Sequence, residues 1–175
     1  PDADFDPKLL DPLDLDHGGR TEDHEILRRY LRSRCALLEG LEPEDPQARV
    51  VALRAWERDA VEAEKVGELD LRSRVENAAL MVLDPGAFER VHREIERLVE
   101  ARVEWCAATE GLITSALTAD GVSLVAIQRR TKHTAGVWRK MQEKNLVLDE
   151  VHDLIAFRVI VSSQDSCYLA LDTVH

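Results

Sequence analysis

Five cationic side chains, Arg129, Arg130, Lys132, Arg139 and Lys140, fall within twelve residues of a chain whose formal net charge is −11. A basic cluster standing against the overall sign is what a polyphosphate pocket requires, because phosphate oxygens want charge-assisted donors held close together. Thirteen residues past Lys140 a lone carboxylate, Asp153, stands at the mouth of the apolar run LIAFRVIV. Cations for phosphate oxygens, with an acid for a divalent metal, are the smallest set of groups that nucleotide phosphoryl chemistry needs. Arg158 interrupts the apolar run and must meet an anion there, either a phosphate or a structural carboxylate. Each feature alone has a plainer reading: a solvated basic face, a strand-end acid, a buried salt bridge.

The elements that must position these groups follow from pattern. Thr21 offers an N-cap, and Ile26, Leu27, Tyr30, Leu31, Leu37 and Leu38 keep an approximate helical period to Gly40. Asp45-Pro46 predicts a second helix through Val50, Leu53, Trp56 and Val61, ending near Gly67. A third covers about 69–83 with Leu71, Val75, Ala78, Ala79 and Val82 on its apolar face. Asp84-Pro85 starts a fourth, whose period through Phe88, Val91, Ile95, Leu98, Val99, Val103 and Cys106 predicts one helix to about Leu117. Asp120-Gly121 is a turn, after which 122–129 alternates as a strand. A short helix over 134–144, a turn at 148–151 and a largely buried strand over 154–161 follow, and Asp165 is placed to cap a last helix. The fold expected is mostly α over the N-terminal two-thirds, then the opening of an α+β domain.

Composition narrows the class. Hydrophobic residues are 45% and charged residues 33%, ordinary for a soluble helical protein, and no apolar run reaches the roughly 20 residues that span a bilayer. The acidic balance argues against duplex DNA as a partner, which needs a broad cationic face. Cys35, Cys106 and Cys167 are odd in number and far apart, so neither a disulfide framework nor a CxxC metal site is expected, and a reducing cytoplasm is the simplest home. Residues 1–20, with six aspartates, Pro7, Pro12 and Gly18-Gly19, read as a flexible acidic arm. Tyr168 and Cys167 read as core, Trp56, Trp105 and Trp138 as helix-packing anchors, and His17, His24 and His92 as solvent-facing.

At the basic cluster the sequence resembles the RelA/SpoT family, whose members make and destroy (p)ppGpp. The motif GRPKHxYSIxxKM is matched by Arg130, Lys132, His133, Trp138, Lys140 and Met141; YDLxAxRVIV by Asp153, Leu154, Ala156 and Arg158 to Val161; DCYxxLGxVH by Cys167, Tyr168, Leu171, Val174 and His175. A weaker match runs upstream, KVGELDLRSRVENAALMVLDP over 65–85, against the segment that links the family's hydrolase and synthetase domains. The resemblance implies a nucleotidyltransferase-like synthetase fold and transfer of pyrophosphate from ATP to the 3′-hydroxyl of GDP or GTP. It implies ATP contacts from Arg130, Lys132, Lys140 and Arg158, a hydrogen bond from His133, and Mg2+ on Asp153. Self-association or ribosome association would belong to the parent protein.

Departures from the family pattern bear on activity. Gly136 stands for the motif's Ser, Arg129 for its Gly and His152 for its aromatic residue. The family's hydrolase metal motif falls on Leu31 to Ala36, where Arg32 stands for the metal carboxylate, and a cation cannot ligate Mn2+. The guanine-site loop and the glutamate that activates the 3′-hydroxyl lie beyond His175 in the family. The chain is therefore read as an acidic arm (1–20), a helical remnant of a degenerate hydrolase domain (21–66), linking helices (67–120) and the N-terminal part of a synthetase domain (121–175). On this reading it is hydrolase-dead and inactive alone; the alternative is a non-catalytic helical interaction or regulatory module derived from the same family.

Overall fold

The computed structural model describes residues 21–175, with side chains from residue 24 onward. The acidic segment 1–20 with His17, and the cap expected of Thr21, lie outside the described residues. The order is α1 (Thr21–Glu39), α2 (Pro46–Arg54), a π-helical turn (Ala55–Asp59), α3 (Ala60–Lys65), α4 (Leu69–Leu83), α5 (Pro85–Ala101), α6 (Val103–Ala119), β1 (Leu124–Thr131), α7 (Thr134–Lys144), a 3-10 turn (Leu148–Glu150), β2 (Ile155–Val161) and α8 (Gln164–Val174). A mostly helical chain thus opens into an α+β unit at its C-terminal end, as the pattern predicts. Among the described residues no helix is long and apolar enough to cross a membrane.

Helix α4 is the central element. Its expected face, Leu71, Val75, Ala78, Ala79 and Val82, is buried against α1, α2 and α3. Its other side carries Glu76 and Leu80, also buried, and packs on α5 and α7. The helix is covered twice because it is apolar around more than one stripe.

The α1–α4 unit corrects one expectation. Val50 and Leu53, expected inward, are 52% and 47% exposed, and Val61 is exposed too. Ala48, Ala52, Ala55, Ala60 and Ala63 are buried in their place. Small side chains let α2 and α3 approach α4 closely, and the π-helical turn adds a residue that carries the alanine face across 55–59. That turn also buries Asp59, which accepts from Arg34 Nε at 2.8 Å and from the Tyr30 hydroxyl at 3.2 Å. Both Asp-Pro starts form as expected: Asp45 accepts from the Gln47 amide at 2.9 Å and Asp84 from that of Ala87 at 2.8 Å.

The single helix expected over 85–117 is two. It breaks at Arg102 (φ −107, ψ 9) because its halves face different partners. Val91, Ile95 and Leu98 of α5 pack with Val137, Leu148, Val151 and Leu154, whereas Leu117 of α6 packs with Val122 and Ala170. Gly121, at φ +73, turns the chain into β1.

Strands β1 and β2 form an antiparallel pair with Gln128 opposite Arg158, Arg129 opposite Phe157 and Arg130 opposite Ala156. β1 begins two residues later than expected, at Leu124, and carries an irregularity between Leu124 and Ala126. β2 is not the largely buried strand expected: Ala156 and Arg158 are exposed and its other residues half-buried, since a two-stranded sheet has only one face covered, by α6 and α8. The last helix is capped by Ser163, which accepts from the Ser166 amide at 3.1 Å, not by Asp165. Cys167 and Tyr168 are exposed, not core, the tyrosine at 65%, because α8 turns Ala170 to the sheet instead.

The alanine face gives a direct test. Ala52→Leu should destabilise by about 1–3 kcal/mol through overpacking, while Leu53→Ala should stay within about 0.5 kcal/mol. Urea unfolding midpoints measure both, and equal effects would contradict this packing.

Candidate functional site

Helix α7 and the two residues before it are held from two sides by two carboxylates that divide four side chains between them, three cations and one histidine. Asp153 accepts from Lys132 Nζ at 3.0 Å and from Lys140 Nζ at 2.6 Å. Glu76 accepts from Arg139 Nη1 at 2.6 Å and lies 2.6 Å from His133 Nε2. The pairs Lys132-His133 and Arg139-Lys140 are thus each split, one member to each acid. Neighbouring residues on a helix point about 100° apart, so a helix edge lodged between two anions satisfies both.

The two acids differ in environment. Glu76 is 1% exposed and also accepts from Arg72 Nε at 3.0 Å. Burial alone would push its carboxyl up; the hydrogen bonds from His133, Arg139 and Arg72 overcome this and hold it down to about 2. Asp153 has a side chain 53% exposed, and hydrogen bonds from Lys140 and then Lys132 hold it to about 2 against slight desolvation. The first is a structural anion, the second one that solvent and ligands can reach.

The N-terminus of α7 is built by long-range contacts. His133 supplies no side-chain cap. Instead Asn77 Oδ1, on α4, accepts from the Ala135 amide at 2.9 Å. Buried Thr134 places its Oγ1 3.1 Å from Nδ1 of His92 on α5, a residue that is exposed as expected. The Lys132 amide donates to the Leu154 carbonyl at 2.9 Å, which ties the loop to the residue after Asp153. Trp138 meets Trp56 edge-on, with ring centroids 5.8 Å apart, and so serves helix packing as expected. Trp105 lies at the surface, 6.2 Å from Phe157.

Between α4, the sheet and Asp153 lies a cleft of about 410 Å³, lined by Arg72, Arg130, Lys132, His133, Arg139 and Asp153, with Leu69, Ser73 and Ala156. Of the expected site residues, Arg130, Lys132, His133 and Asp153 line it directly, and Lys140 reaches it through Asp153. Arg158 shares the Arg130 face of the sheet but stands two residues beyond Ala156, outside the lining. Arg129 points to the opposite face, where it donates to Glu110 at 3.0 Å, so the five-cation cluster is not one patch. Strand alternation separates Arg129 from Arg130.

Pattern reading missed the α4 side of this cleft. Glu76 and Asn77 are polar residues between buried Val75 and Ala78, and that interruption was the available signal. Among the described residues no three His, Cys, Asp or Glu side chains gather as a metal cluster. A divalent ion on Asp153 would take one protein carboxylate and fill its remaining positions from phosphate and water, as Mg2+ does beside nucleotides.

Parts of this chain are similar to known proteins. Residues 129–175 match the family model described as a region found in RelA / SpoT proteins. A GTP pyrophosphokinase of Escherichia coli (strain K12) is 30% identical over 113 residues, 65% of this chain and 15% of that protein. The GTP pyrophosphokinase of Photobacterium angustum is 27% identical over 141 residues, 81% of this chain and 19% of that protein. A probable guanosine-3′,5′-bis(diphosphate) 3′-pyrophosphohydrolase of Synechocystis is 25% identical over 138 residues, 79% of this chain and 18% of that protein. The chain spans less than a fifth of the length of these relatives.

The buried acid makes stability depend on pH. A carboxyl depressed from 4.5 to about 2 on folding contributes stability fully above its unfolded value, and that contribution fades as pH falls from 4.5 toward 2. Glu76→Gln should therefore lower stability by about 3 kcal/mol near pH 7, with the gap to wild type closing toward pH 2. Denaturant unfolding at several pH values measures it, and a pH-independent gap would contradict the assignment.

Proposed function

Since this chain belongs to the RelA/SpoT family, we propose that it holds the pyrophosphate donor of a (p)ppGpp synthetase, ATP with Mg2+, in the cleft between α4, the sheet and Asp153. The observation that carries this is the pairing of Lys132 and Lys140 with the exposed carboxylate of Asp153. Two lysines that share one exposed acid carry one positive charge in excess and form an exchangeable set. A triphosphate takes the lysines while a divalent cation takes the acid, so each charged group exchanges one partner of opposite sign for another.

On this reading Lys132 and Lys140 neutralise the β and γ phosphates, and Arg130 clamps or stacks on the donor, which a planar guanidinium does well. Asp153 would hold Mg2+, which would supply positive charge against the charge that develops on the phosphates during transfer. Arg158, on the Arg130 face, meets the far end of the donor. His133 serves by hydrogen bonding, with its Nε2 directed at Glu76. Transfer forms a bond from the acceptor 3′-oxygen to the β-phosphorus of ATP and releases AMP, and the acceptor proton passes to a base. On this reading the acceptor is GDP or GTP, and the reaction takes place in the cytoplasm.

Helices α1–α3 are proposed to be a hydrolase remnant without hydrolase chemistry. Where the family's metal motif falls, Leu31 and Cys35 are core residues, and Arg34 is paired with Asp59. One observation favours a second reading, a non-catalytic regulatory module: Asp153 already has two ammonium partners and needs no metal to be satisfied.

ATP with Mg2+ should raise the melting temperature of the wild-type chain. Lys140→Ala or Arg130→Ala should weaken binding by roughly tenfold or more. Labelled ppGpp from ATP and GDP, formed by a version extended past His175 but not by this chain, would support the synthetase. ATP binding without product from either would favour the module, and no binding would reject the nucleotide reading.

A further inference from the structure

Gly136 is buried in the first turn of α7, and a Cβ built on it would meet the ring of His133 at 2.7 Å from Cε1, 2.9 Å from Nε2 and 3.2 Å from Nδ1. Its backbone is ordinary helix, so space and not conformation requires a glycine. With no side chain at 136, the imidazole lies across the helix start and reaches Glu76 at 2.6 Å. The replacement of the family motif's Ser by Gly136 and the buried acid on α4 are therefore parts of one arrangement.

We infer that Glu76 is a positioning residue for the polyphosphate cleft, acting through His133 and Arg139, and that Gly136 provides the room this requires. The inference rests on the nucleotide reading above. His133 adjoins Lys132 and Arg139 adjoins Lys140. Fixing the inner members of these pairs on α4 sets the loop and the rotation of α7, which leaves the outer members directed at Asp153. A binding constellation is held in place by such supporting bonds behind it.

Electrostatics alone predicts the opposite result, which makes the inference testable. Removing a negative charge beside an anion site strengthens anion binding if that charge is only a local repulsion. Titration calorimetry with ATP·Mg2+ and with inorganic tripolyphosphate should instead show Glu76→Gln weakened by roughly tenfold. Unchanged or tighter binding by Glu76→Gln overturns the inference.

A double-mutant cycle covers the case in which Glu76→Gln does not fold. Gly136→Ala should weaken ATP·Mg2+ binding and lower the melting temperature by roughly 3 °C or more. In a His133→Ala background the same change should do neither, since the ring it strikes is gone. Equal effects in both backgrounds overturn the inference. A wild-type chain that binds neither ligand sinks the nucleotide reading and the positioning role together. Wild-type binding with an additive cycle sinks only the positioning role.

Discussion

A carboxylate taken out of water needs donors wherever it lies, and Glu76 draws its own from three directions. Arg72 comes from its own helix, His133 from the loop after β1, and Arg139 from the second turn of α7. None of the three can be withdrawn without leaving a buried charge short of partners, which costs far more than a surface ion pair is worth. The placement of α7 against α4 follows from that requirement. Asn77, the next residue, then completes the docking by capping the α7 backbone where His133 cannot. Two consecutive polar residues on one helix thus fix where another begins and how it is rotated.

Helix α4 can carry this duty because its opposite side is anchored. The alanines of α2, the π-helical turn and α3 allow close approach to Val75 and Ala79, and Asp59 is held by Arg34 and Tyr30. Trp56 extends from that unit to Trp138 on α7, so the helical unit and the cleft share an aromatic contact as well as an ionic one. The N-terminal helices consequently support the cleft even where their residues supply none of its lining.

What could be read in the sequence was local. Asp45-Pro46 and Asp84-Pro85 signal helix starts through bonds to amides two or three residues away, and both formed. The inward face of α4 repeats regularly with residues of high burial tendency. Where large and small apolar residues competed, as in α2, size was a poor guide, because close helix packing selects alanine. The break at Arg102 carries no composition signal, since it arises from partners that lie elsewhere in the fold. In Ser162-Ser163-Gln164-Asp165 several residues can cap, and local pattern does not choose among them. Lys132, Lys140 and Asp153 were legible as a set because the motifs name them, and in the structure the two lysines pair with Asp153. Glu76 was not, because its partners lie 57 and 63 positions away.

The contrast between the two acids bears on how such a site works. Glu76 is enclosed and has donors on both carboxylate oxygens, so exchanging them for a metal or a phosphate would require opening the α4–α7 contact. Asp153 faces solvent with two lysines on flexible stems, and each ammonium group can move without moving the backbone. Permanent pairing at the first acid fixes the geometry, and exchangeable pairing at the second leaves the charges available. Both acids draw on adjacent residues of the same two dipeptides, so the fold cannot rearrange one pair freely without disturbing its neighbour. That shared origin couples the scaffold to the cleft, and it rests on seven side chains, of which Arg72 completes the buried half.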